Sequence, residues 1–190
     1  VFYPFSIDME ASLLMWAPFY TNQLALVKNI ASSLPIGYDL YVKEHPFSYT
    51  RAWRNISFYK ELLNLPNVKL ISTELNPREI IKNSSLVIGI TSTAVMEAAF
   101  YGKPSIIFQD NLFSDLSSVF RIENIEKLPE IIQDALETEV NTDELNKFVD
   151  LIEANSFNFN LNEFLADVGD NFYDNASIVD VEISEEKLKT

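Results

Sequence analysis

"LVIGITSTAVMEAAFYGKPSIIF", residues 86–108, is the stretch from which the fold can be argued. It opens on a short apolar run, 86–90, dense in β-branched side chains. Three hydroxyl residues follow, Thr91, Ser92 and Thr93. Small and apolar residues then recur at helical spacing to about 101. Gly102 followed by Lys103 and Pro104 stops that helix, and a second apolar run occupies 105–108. Strand, helix, strand in so few residues requires parallel strands, because an antiparallel pair needs no crossover helix.

The same alternation extends in both directions. Strands are expected at 1–5, 39–43, 68–72, 86–90 and 105–108, with a weaker one at 119–122. Helices are expected at 21–34, 51–64, 77–83 and 93–101, then at 127–138 and 142–154. Pro77 suits the first turn of its helix. Short buried strands alternating with helices make an α/β fold, a parallel sheet covered on both faces. Right-handed crossovers then give a doubly wound, Rossmann-like sheet with extra C-terminal helices. We expect one such domain over 1–169 and an acidic C-terminal tail over 170–190.

Composition narrows the chemistry. The chain has 190 residues, no cysteine and one histidine. Disulfides and thiolate metal sites are therefore excluded, and no metal site is expected. Residues 1–122 carry ten Lys/Arg and ten Asp/Glu, whereas 123–190 carry four and eighteen, so the net charge of -14 belongs to the last third. Such acidity argues against nucleic acid, which needs a basic face. It reads as a solvated helical surface plus tail. No apolar run is long enough to span a membrane, and "VFYPFSIDMEAS" lacks the basic start and long apolar centre of a signal peptide. A chain starting on Val1 in strand-like residues suggests that a domain precedes it. Asn55, Asn83 and Asn175 open Asn-x-Ser/Thr triplets, taken as chance matches.

Ligands of open parallel sheets bind beyond the carboxyl ends of the strands. The informative loops are therefore "SIDMEAS", "KEHPFSY", "STELNP", "TSTAVMEA" and "QDN". Thr91, Ser92 and Thr93 stand where a helix opens, a place suited to an anion. Ser92 or Thr93 could equally serve only as a helix cap. Glu97 lies one turn further, within reach of a ribose hydroxyl. His45, at the end of the second strand, can donate to a phosphate and, if protonated, offset charge on a leaving group. The alternative is an ordinary loop histidine. Pro46 fixes the backbone after it, and Lys43, Arg51 and Arg54 are near in sequence. The two arginines read as solvated helix residues. Neither G-x-G-x-x-G nor a Walker loop is present, so no dinucleotide cofactor is expected.

"VKEHP" followed by "LVIGITSTAVMEAAFYGKPSIIF" resembles the donor-nucleotide half of capsule-polysaccharide-type glycosyltransferases of GT-B fold, which include transferases using CMP-activated keto-sugars. The likeness covers roughly 1–125. The opening "SIDMEASLLMWAPFYTNQLALVKNIASSLP" also looks like that family's inter-domain stretch. The resemblance implies that His45 contacts the donor phosphate, that Ser92 and Thr93 hold phosphate oxygens, and that Glu97 takes the ribose. Glu10 matches the acidic position of the first loop, although Met9 replaces the expected proline. It further implies a nucleotide-sugar donor, a polysaccharide or lipid-linked acceptor, no cofactor, and a general base on an N-terminal domain outside this chain. Such an enzyme is expected in the cytoplasm or peripherally at the inner face of the membrane. The 190-residue piece alone is expected to bind nucleotide weakly and to catalyse nothing. Two rivals remain: a sugar-nucleotide 2-epimerase of related fold, and a non-catalytic module whose acidic third docks a basic partner.

Overall fold

The computed structural model describes residues 1–45 and 54–160. Contacts divide the chain into two compact units, Val1–Leu145 and Asn146–Thr190. The first unit is built on a six-stranded sheet. Its strands are β1 (Phe2–Pro4), β2 (Leu40–Lys43), β3 (Val68–Ile71), β4 (Val87–Gly89), β5 (Ser105–Ile107) and β6 (Val119–Arg121). Their order is β3-β2-β1-β4-β5-β6, and every pairing is parallel. The expected doubly wound, Rossmann-like sheet is therefore what the chain forms, with each strand inside its expected range.

Side-chain alternation along the strands separates the two faces. Tyr3, Phe5, Leu40, Val42, Ile88, Ile90 and Ile106 turn to one face. There they pack with Leu26, Val27 and Ile30 of α1 (Gln23–Ser33), Leu62 of α2 (Ile56–Leu63), and Leu128, Ile132 and Ala135 of α5 (Leu128–Glu137). Phe2 and Val87 turn to the other face. They meet Ile81 of α3 (Pro77–Lys82) and Ala94 and Ala98 of α4 (Ala94–Phe100). Burying a side chain of this size stabilises by roughly 1.5–3 kcal/mol relative to exposure, so both layers hold the sheet firmly.

Local chemistry sets the helix ends. The Asn22 side chain accepts from the Ala25 amide at 3.1 Å, and Asn76 accepts from the Arg78 amide at 3.0 Å ahead of Pro77. Both satisfy an amide the helix itself leaves unpaired. Helix α4 ends in a Schellman motif. Gly102, at φ +67°, takes the left-handed position, its N–H donates to the Ala99 carbonyl, and the Lys103 N–H donates to that of Ala98.

Two local features depart from the sequence reading. A π-turn at Ser12–Trp16 and a 3-10 turn at Pro18–Tyr20 precede α1. Helix α2 is described from Ile56, so Arg54 and extended Asn55 stand outside it. Residues 51–53 and the tail from 170 fall outside the described residues. The second unit is described over 146–160, where α6 (Thr142–Ala154) ends. Among the described residues no helix is long and apolar enough to cross a membrane.

Candidate functional site

The chain leaves β1 towards β2 on one side and β4 towards β5 on the other, so the strand order reverses between β1 and β4. The crevice beyond the carboxyl ends of those two strands is the natural ligand position in such a sheet. Its walls are the loop that follows β1, carrying Ser6, Asp8 and Glu10, and the turn Thr91–Thr93 that follows β4.

That turn is tightly built. Ser92 Oγ accepts from the Ala94 amide at 3.2 Å, and the Ser92 carbonyl accepts from the Val95 amide at 3.2 Å. The capping expectation thus describes Ser92, whereas Thr93, at the cap position itself, makes no such side-chain bond. Thr93 is exposed, and Thr91 and Glu97 are half-buried. Gly89 permits the close approach: a Cβ there would stand 3.0 Å from Val95 Cγ2 and 3.1 Å from Ser92 Cβ.

His45 directly follows Glu44 beyond β2, beside β1 and two strand positions from β4. At about 4.8 Å per strand, roughly 10 Å separates the backbone at His45 from the hydroxyl turn. A ligand touching both must therefore lie across the end of β1. Lys43 is directed elsewhere. Only 3% exposed, it donates from Nζ to the Thr73 carbonyl at 3.0 Å, on the β3 side and away from Thr91–Thr93. Burial pushes its pKa below the ordinary lysine value. Glu10 is exposed in the first loop, and Ser12 Oγ donates to it at 3.3 Å.

Arg54 corrects the sequence reading. It is not a solvated helix residue: its side chain is 6% exposed, beneath the sheet edge. Nε donates to Glu44 Oε1 at 2.9 Å, Nη1 to both Asp8 oxygens at 2.8 and 2.6 Å, and Nη2 to the Ser6 carbonyl at 2.9 Å. The guanidinium sits 4.8 Å from the ring centroids of both Phe5 and Phe58. Its aromatic flanks and two carboxylate partners repay what desolvation costs it. For a pair as buried as Arg54–Glu44, removing one partner costs about 3–5 kcal/mol, because the other charge is left stranded.

Gln23 braces the same loop from α1. Its Nε2 donates to the Ser6 carbonyl at 2.8 Å and to Asp8 Oδ1 at 2.6 Å, while its Oε1 accepts from the Ser6 amide at 2.9 Å. The Tyr59 hydroxyl donates to Glu44 Oε1 at 3.1 Å. Sequence inspection missed Asp8, Gln23, Glu44 and Tyr59. The available signal was Gln23, a polar residue in register with the apolar Leu26, Val27 and Ile30.

A separate cavity of about 470 Å³ lies beyond β6, bounded by Arg121, Glu123, Asn124, Lys127 and Glu130. It is two strands from the crevice, and its lining mixes both signs of charge, as a solvated surface does.

The model of one protein family, described as capsule polysaccharide biosynthesis protein, matches residues 19–115, just over half of the chain. No curated protein sequence matches. Among solved structures, Thermosulfurimonas dismutans KpsC, a beta Kdo 2,7 transferase, is similar at TM-score 0.51 and 19% identity, over 82% of this chain and 54% of that one. Spinosyn rhamnosyltransferase SpnG, complexed with thymidine diphosphate, aligns at TM-score 0.47 and 16% identity, over 80% of this chain and 41% of its own. The glycotransferase of kitacinnamycin aligns at 0.42 and 13%, over 79% and 37%. The likeness to KpsC is one of fold, and this chain spans about half of that structure's length.

Proposed function

The chain belongs to the capsule polysaccharide biosynthesis protein family, and from that premise we propose that its first unit is the donor-nucleotide-binding half of a glycosyltransferase. The full enzyme would move a sugar from a nucleotide donor, CMP-linked donors included, to a polysaccharide or lipid-linked acceptor. The observation that carries this reading is the switch-point crevice. The β1 loop and the Thr91–Thr93 turn flank it, with His45 one strand beyond β1.

In this mechanism the donor lies across the end of β1. The Thr91–Thr93 turn offers hydroxyls and amides to the phosphate oxygens, and Glu97, one turn along α4, takes the ribose. Bond breaking leaves negative charge on the departing phosphate. His45 donates to it from the opposite wall, and stabilising charge that develops only in the transition state is what accelerates transfer. Lys43, bonded to the Thr73 carbonyl on the β3 side, adds positive charge only at longer range. Glu10, exposed in the first loop, meets the substrate there, and the general base that deprotonates the acceptor hydroxyl comes from an N-terminal domain. A cover over the first loop accords with the exposure there of Met9, Leu14, Met15, Trp16 and Phe19, the last two at 65% and 93%. The proposed location is the cytoplasm, either free or peripheral at the inner face of the membrane.

Calorimetric titration of CMP, CDP, UDP and GDP tests the reading. One nucleotide should bind the wild type and bind His45→Ala at least tenfold more weakly. A folded protein that binds all four equally poorly, or a His45→Ala variant that binds as well as wild type, would remove the donor-site assignment.

A further inference from the structure

We propose that Arg54 is a positioning residue for His45: its guanidinium ties the first loop to Glu44 and so fixes where the imidazole stands in the crevice. The proposal deepens the donor-site reading and rests on it for its link to catalysis. Its structural part, the coupling between Arg54 and His45, can be tested separately.

Four hydrogen bonds from one side chain join three separate stretches of chain, Ser6 and Asp8 after β1, Glu44 after β2, and Arg54 itself before α2. A guanidinium is planar, and Phe5 and Phe58 flank this one, so the donors point in fixed directions. Gln23 holds Ser6 and Asp8 from a second side, and the Tyr59 hydroxyl holds Glu44 from a third. Glu44 is therefore pinned on the sheet face that carries Phe5 and Phe58. Strand alternation carried two residues past the end of β2 at Lys43 sends the His45 side chain to the opposite face. That is the face on which Ala94 and Ala98 of α4 pack. A backbone rotation at Glu44 would swing His45 away from it.

The location argues against a merely cohesive role. The network sits at the carboxyl edge of the sheet, not in mid-core. Asp8, its outermost member, is 41% exposed at the wall of the crevice. Arg54 thus couples the first wall to the residue proposed to meet the phosphate.

Because the chain contains a single histidine, its imidazole Cε1–H resonance reports on His45 without ambiguity. The test compares that resonance in the full chain for wild type, Arg54→Lys and Asp8→Asn. Lys28→Met, which removes the surface pair with Glu61, is the control. Lysine keeps the charge but lacks the fork. Asp8→Asn is the milder change and remains informative if Arg54→Lys does not fold. The resonance should move in both clamp variants and stay in the control. Nucleotide affinity should fall about tenfold in Arg54→Lys, with no further fall when Arg54→Lys is added to His45→Ala. Non-additivity of that kind marks two residues acting as one unit. An unmoved resonance in a folded clamp variant overturns the proposal, as do losses that simply multiply. If the resonance moves but wild type binds no nucleotide, the donor-site reading falls while the Arg54–His45 coupling stands.

Discussion

Gly89→Ala should be the most informative small substitution in the molecule. Gly89 ends β4 and is buried, and its φ lies outside the left-handed region, so a methyl group there meets no backbone penalty. It meets neighbours instead. The new Cβ would stand 3.0 Å from Val95 Cγ2 and 3.1 Å from Ser92 Cβ, both well inside ordinary van der Waals contact. Val95 is fully buried and cannot swing into solvent, while Ser92 is held by the bonds its Oγ and carbonyl accept. Overpacking of this kind costs about 1–3 kcal/mol. For a chain of this size about 2 kcal/mol lowers Tm by roughly 4–8 °C. Because Ser92 belongs to the hydroxyl turn, nucleotide affinity should fall as well. Thermal and urea unfolding give the stability term, and calorimetry gives the affinity. Val95→Ala provides the internal check, since it removes the closer of the two contacts. The double variant should lose less stability than the two single losses summed, by about 0.5–3 kcal/mol of coupling. Unchanged unfolding of Gly89→Ala, or strict additivity in the cycle, would refute the close-packing argument.

Two other substitutions follow from buried polar groups. Burial depresses the Lys43 pKa, so the native state sheds that proton before the unfolded chain does, at about 10.4. Between those two pKa values the unfolded state binds more protons, and wild-type stability rises with pH. The stability of wild type relative to Lys43→Met should therefore rise as the pH is raised from neutral to 10, measured by urea midpoints; parallel pH profiles would count against it. Burial also raises the Tyr3 pKa, which keeps its hydroxyl neutral throughout that range. Its bond to Gln23 Oε1 is long, 3.4 Å, and the Ser6 amide still donates to that oxygen. Tyr3→Phe should thus cost under about 1 kcal/mol, and a loss several times larger would show that the Gln23 brace depends on the phenol.

The parallel sheet was legible because its signal is repetitive. Strands such as 86–90 and 105–108 are buried on both faces, so they read as unbroken apolar runs, and Pro77 and Gly102 mark helix ends through their own backbone chemistry. The hydroxyl turn was legible for a related reason, since Thr91, Ser92 and Thr93 are adjacent in sequence and their place follows once the strand is found. Arg54 and Asn55 were expected in helix α2 because neither residue forbids helix. What holds Arg54 and Asn55 out of it is tertiary, the pull of Asp8 and Glu44 on the guanidinium.

The Arg54 clamp shows where such reading stops. Its partners lie 10 residues away at Glu44 and 46 at Asp8, and no local pattern distinguishes a buried arginine from a solvated one. Only the sheet order makes them neighbours, by setting β1 beside β2. An arginine is seldom buried unless it is paired, and the strand order brings together the two loops that supply the partners of this one. On the coupling proposed above, the residue with the plainest sequence signal, His45, depends on residues that had almost none. Asp8, Gln23 and Arg54 shape the first wall of the candidate crevice through bonds that no local sequence pattern announces.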